Sequence, residues 1–177
     1  MKQLYVPYYA EHLTKKLSFV LSGTVPDLEE KQLYGVLLAS AYSTHNDSVI
    51  ENTKNIAKDF VDESTINAAL SAAVLARVKF EHKGLPSLES EIKIDSLDED
   101  DLQAIDVTTE QASACIKNQK DDTDFQLFLL AASFINNFDN YLEMLVQQNL
   151  VSKNAINTVV QIAALIQSIA EMPGEAS

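Results

Sequence analysis

The chain has 177 residues, 46% of them apolar, and a formal net charge of −13. That is the size and composition of one globular domain with enough apolar surface for a substantial core. A surface suited to duplex nucleic acid or an anionic membrane is excluded, because no basic cluster denser than Lys15-Lys16 offsets the negative charge.

Cys115 is the sole cysteine, so no internal disulfide can form and no oxidising compartment is implied. Met1 to Leu13 has no uninterrupted apolar core after a basic start, which argues against a signal peptide. The longest uncharged run, Asn154 to Ala170, is broken by Asn157, Thr158, Gln161, Gln167 and Ser168, and reads as a buried helix rather than a membrane span. Cytoplasmic residence is the expectation. With only four Gly and four Pro, the composition favours helix throughout.

Tyr8 to Leu21 carries apolar residues near helical spacing and stops at Gly23, a residue suited to a left-handed C-cap. Asp27-Leu-Glu-Glu30 has the form of a capping box and opens a helix through Leu33, Val36, Leu37 and Ala41. His45-Asn46-Asp47 breaks that helix and caps the next, with Val49, Ile50, Ile56 and Phe60. Asp62 and Ser64 start a third, which ends near Gly84-Leu85-Pro86. The composition then turns acidic between Glu89 and Asp101, which reads as a connector with one or two short helices. Long helices return from Asp121 to Ala170: Thr123 or Asp124 opens the first, Asp139 lies near the second, and Ser152 caps the third.

The two helical halves repeat. Leu37-Leu-Ala-Ser-Ala-Tyr42 aligns with Leu129-Leu-Ala-Ala-Ser-Phe134, and Ser64 to Leu70 aligns with Asn154 to Val160, two residues fewer separating the blocks in the second copy. The predicted architecture is all-α, a bundle of two pseudo-symmetric three-helix repeats at about 27–83 and 121–171, joined by an acidic connector at about 86–120.

Pro7-Tyr-Tyr-Ala10, Gln32 to Ala41, Ala68 to Ala73, Phe125 to Asn136 and Val151 to Ala170 resemble, in order, segments of the alkyl hydroperoxidase D (AhpD) family. The resemblance runs end to end and is weakest in the acidic connector. It implies an AhpD-like helical fold, a homotrimer or a dimer of trimers, and peroxide reduction or peroxiredoxin recycling by a Cys-x-x-Cys pair served by a glutamate and a histidine. In that chemistry the thiolate is the nucleophile, and the acid and base keep it deprotonated.

Carried onto this sequence, those positions hold other residues. The glutamate falls at Gln126, the two cysteines at Phe138 and Tyr141, the histidine between them at Asn140, and the downstream histidine near Leu145. Phe138 and Tyr141 read as core filling at i and i+3. Cys115, within Ala112-Ser-Ala-Cys-Ile116, reads as a buried thiol; a one-cysteine peroxidase through Cys115 is the alternative.

Three histidines, His12, His45 and His82, read as surface or capping residues. No close His/Cys ligand spacing occurs, and the acidic run lacks the glycine of a calcium loop. No metal or other cofactor is expected. Two functions remain: a catalytically silent AhpD-like protein that binds a partner of the peroxide-defence system or a small molecule, and an enzyme with non-thiol chemistry of the related carboxymuconolactone decarboxylase kind.

Overall fold

A helix with one apolar stripe lies at a surface, whereas a helix apolar all round has to be enclosed. Two segments of this chain are of the second kind. In the computed structural model, which describes residues 11–22, 25–81, 123–137 and 151–172, they form the central pair of an all-helical bundle. We label the helices α1 (Glu11–Leu21), α2 (Glu30–Ser43), α3 (Asp47–Ala57), α4 (Glu63–Glu81), α5 (Thr123–Ile135) and α6 (Lys153–Ala170). Every residue from Leu33 to Ser43 on α2, and from Phe125 to Ser133 on α5, is buried. No strand occurs among the described residues, as the helical spacing of Val and Ile predicted.

The central pair packs together and against α4, while α6 covers α5 and α2, α3 lies on α2, and α1 rests on α6. Close packing is achieved at Gly35. A Cβ built there would overlap Cζ and Cε1 of Phe128, which itself is fully buried on α5. The ring occupies the space a side chain would have taken, and this lets α2 and α5 approach.

The helix starts obey local rules. Asn46 caps α3, accepting from the Val49 amide at 3.2 Å. Asp62 caps α4, its Oδ1 accepting from the Thr65 amide at 2.8 Å and from the Thr65 hydroxyl at 2.6 Å. Ser152 caps α6, accepting from the Ala155 amide at 3.1 Å. The box expected at Asp27-Leu-Glu-Glu30 is displaced by two residues. Glu29 is the N-cap, and its amide donates to Gln32 Oε1 at 3.0 Å. Asp27 adopts a left-handed φ of 67° and belongs to the turn before the helix. On α3, Thr53 and Ala57 accompany Val49 on the buried face, while Phe60 is 45% exposed and stacks on Tyr34 at 4.2 Å between centroids.

The internal likeness extends to backbone detail. His45 and Asn137, 92 positions apart, both lie in the left-handed region, with φ of 54° and 57°, immediately after α2 and α5. Asp62 and Ser152 each lie two residues before the second aligned block and cap the equivalent helices α4 and α6. The third pair is in mutual contact: Gln32 Nε2 donates to Asp124 Oδ1 at 2.7 Å across 92 positions. A residue touching its own counterpart is what an approximate two-fold between like elements produces. The connector and the helix expected near Asp139 lie outside the described residues.

Candidate functional site

α5 is where the family resemblance places the relay glutamate, and Gln126 is held there by the burial of the whole helix. Gln126 is 3% exposed and Ser133 1% exposed. Seven residues apart, they share one stripe of α5, separated along its axis by about 10 Å. The Ser133 hydroxyl has no hydrogen-bond partner among the described residues, in contrast to Ser40 and Ser43, which donate to the carbonyls of Val36 and Ala39 at 2.7 and 2.9 Å. Thr53 Oγ1 on α3 is the other buried hydroxyl without a partner among the described residues.

The described part of this interior is electrically neutral. No buried side chain among the described residues is a carboxylate, imidazole, guanidinium or ammonium group. The titratable groups that do enter it are phenols. Burial, reinforced by Glu51, pushes Tyr42 up to about 12; burial and Glu30 also raise Tyr34. Both stay protonated near neutral pH. The Gln126 amide can donate and accept hydrogen bonds, but it does not exchange a proton near neutrality. The described part of the site offers polar contacts and no base for generating a thiolate.

The other positions singled out in the sequence fall as follows. Phe138, Asn140, Tyr141, Leu145, Cys115 and His82 lie outside the described residues. His12 and His45 are exposed, on α1 and in the turn after α2 respectively, so they do not converge with Gln126. No group of three His, Cys, Asp or Glu suited to a metal ion occurs among the described residues. Within the same residues, no helix is long and apolar enough to cross a membrane.

Sequence reasoning missed two features. One is the unpartnered pair Ser133 and Thr53, for which a mid-helix hydroxyl at an otherwise apolar position is the available signal. The other is an open groove of about 700 Å³ between α1 and α6, with Val20, Ile162 and Leu165 at its base and Lys15, Lys16 and Phe19 on the α1 side. Lys15-Lys16 was visible in the sequence as the densest basic pair, but its apolar neighbours on α6 are remote in the chain.

No family model matches the chain. Full-length relatives do. The alkyl hydroperoxide reductase AhpD of Coxiella burnetii (strain RSA 493 / Nine Mile phase I) is 30% identical over 173 residues, covering 94% of this chain and 92% of that protein. The protein of the same name from Corynebacterium kroppenstedtii is 28% identical over 170 residues, covering 94% and 90%. That of Rhodococcus erythropolis is 29% identical over 172 residues, covering 94% and 88%.

Proposed function

The chain belongs to the AhpD family, and from that premise we propose that it is a member without the dithiol chemistry, retaining the helical scaffold as a binding or assembly protein. The observation that carries this reading is the cysteine count. A cycle that forms and breaks a disulfide needs two thiols within reach of one another, and this chain has Cys115 alone. The residues at the family positions support it. Gln126 stands for the proton-relay glutamate, Phe138 and Tyr141 for the two thiols, and Asn140 and Leu145 for the histidines. The described interior around α5 agrees, since no buried side chain among the described residues carries a charge that would stabilise a thiolate.

On this reading the protein assembles as a homo-oligomer of the trimeric kind and acts in the cytoplasm beside the peroxide-defence proteins of its relatives. A peroxiredoxin-system protein is the expected partner.

The test compares hydroperoxide turnover, with a dithiol donor, by the native chain and by the Cys115→Ser variant. Neither is expected to turn over. Activity in the native chain that is lost in Cys115→Ser overturns the reading and makes Cys115 a peroxidatic residue. Activity that survives in Cys115→Ser overturns it in favour of non-thiol chemistry. A quadruple variant, Gln126→Glu, Phe138→Cys, Tyr141→Cys and Leu145→His, adds a positive arm: turnover gained there identifies those positions as the vacated site.

A further inference from the structure

α1 and α6 diverge enough to leave the groove of about 700 Å³ open to solvent. Its size falls within the roughly 300–1,000 Å³ typical of small-molecule sites, which are mostly apolar with a few placed polar groups. The composition of the walls is selective. Val20, Ile162 and Leu165 are buried and form an apolar base, and Thr158, Gln161 and Ser168 of α6 add neutral polar groups. Both charged lining residues among those described, Lys15 and Lys16, are cationic, and no described Asp or Glu lines the groove. This contrasts with the chain as a whole, in which 26 acidic residues face 13 basic ones.

We infer that this groove binds an amphipathic monoanion of the fatty-acid class, with its alkyl chain over Val20, Ile162 and Leu165 and its carboxylate at Lys15 and Lys16. The charge complementarity selects an anion, and the apolar residues of the base select an alkyl chain attached to it. Two further observations fit this occupant. Phe19 is 57% exposed at the rim, so an alkyl chain beneath it removes apolar surface from water. Lys15 pairs with Glu11 at 3.0 Å, but both side chains are largely exposed. Such a pair contributes little and exchanges readily for a ligand carboxylate. The lysine stems themselves add apolar surface along the groove wall. The inference is independent of the dithiol question, because no thiol takes part.

Calorimetric titration of the full chain with dodecanoate, dodecanol and dodecyltrimethylammonium tests it. Dodecanoate is expected to saturate one site per chain, to bind most tightly of the three, and to weaken as salt is raised. The double variant Lys15→Gln/Lys16→Gln changes only exposed side chains, and its thermal melt verifies the fold. It is expected to lose about tenfold in dodecanoate affinity, equivalent to about 1.4 kcal/mol, while Phe19→Ser weakens all three ligands. Equal binding of the three, absence of saturation, or an unchanged affinity in the lysine variant overturns the inference. So does sedimentation showing that Phe19→Ser or the lysine variant breaks up an oligomer, for the groove is then covered by a second copy of the chain.

Discussion

Gln32 and Asp124 are joined by a hydrogen bond of 2.7 Å, and each occupies the position in its own half that the other occupies in the second. Asp124 also lies 3.5 Å from Lys31 Nζ, so the bond belongs to a small charged cluster where the central helices begin. Asp124 is half-buried, and Gln32 links it to the cap of α2 through the Glu29 amide. Substituting Gln32→Ala and Asp124→Ala, singly and together, is expected to show a coupling of about 1 kcal/mol in a double-mutant cycle. Additive losses in denaturant unfolding would mean that the contact stabilises nothing.

Gly35 allows no side chain. Gly35→Ala gains helix propensity but places a methyl group inside the Phe128 ring, and the clash is expected to dominate, with a loss of about 1–3 kcal/mol. The check is rescue: Phe128→Leu in the Gly35→Ala background should restore part of the stability, although Phe128→Leu alone is destabilising. A Gly35→Ala variant as stable as the native chain contradicts the close approach of α2 and α5.

The equivalent caps should contribute alike. Asp62→Ala and Ser152→Ala each remove the acceptor for the amide three residues on, at a cost of about 1 kcal/mol. In a chain of this length that corresponds to a fall in Tm of roughly 2–4 °C for each. The carboxyl of Asp62 also has a pH signature. Its side-chain and backbone hydrogen bonds from Thr65 hold it below its ordinary range. Its contribution is therefore present above the unfolded-state carboxyl pKa and is lost as pH falls through the lower folded value. Ser152→Ala should show no such dependence.

Tyr42 sets an alkaline limit. Burial first, and Glu51 second, raise it to about 12, against about 10 in the unfolded chain. The folded state retains a proton that the unfolded state releases, so the contribution of Tyr42 is constant below about pH 10 and declines as pH rises toward the folded value. The decline amounts to something on the order of 2 kcal/mol. Tyrosinate absorbance should show a late component that is lost in Tyr42→Phe, and that variant should lose less stability over the same interval.

The unpartnered hydroxyls invite removal. Ser133→Ala and Thr53→Val keep approximate shape and delete a buried oxygen that has no partner among the described residues. Each is expected to be neutral or stabilising by up to about 1 kcal/mol. A loss greater than that in either variant shows that the hydroxyl has a partner in solution.

The helices, most of their starts and the internal repeat were legible in the sequence because each depends on residues within one turn or on a pattern repeated along the chain. Asn46, Asp62 and Ser152 cap where short polar side chains precede apolar helical spacing. The shift of the first box from Asp27 to Glu29 shows the limit of the same rule: two acidic positions compete locally, and the left-handed turn at Asp27 decides between them. The family was legible too, from blocks spread over the whole chain. What required the tertiary structure lies between residues remote in sequence. Gly35 beneath Phe128, Gln32 on Asp124, the uncharged interior around Gln126, and the groove that Lys16 shares with Leu165 all arise only when helices meet. Periodicity specifies which face of a helix is apolar; which partner fills that face depends on volume and approach distance, and these exist only between packed elements.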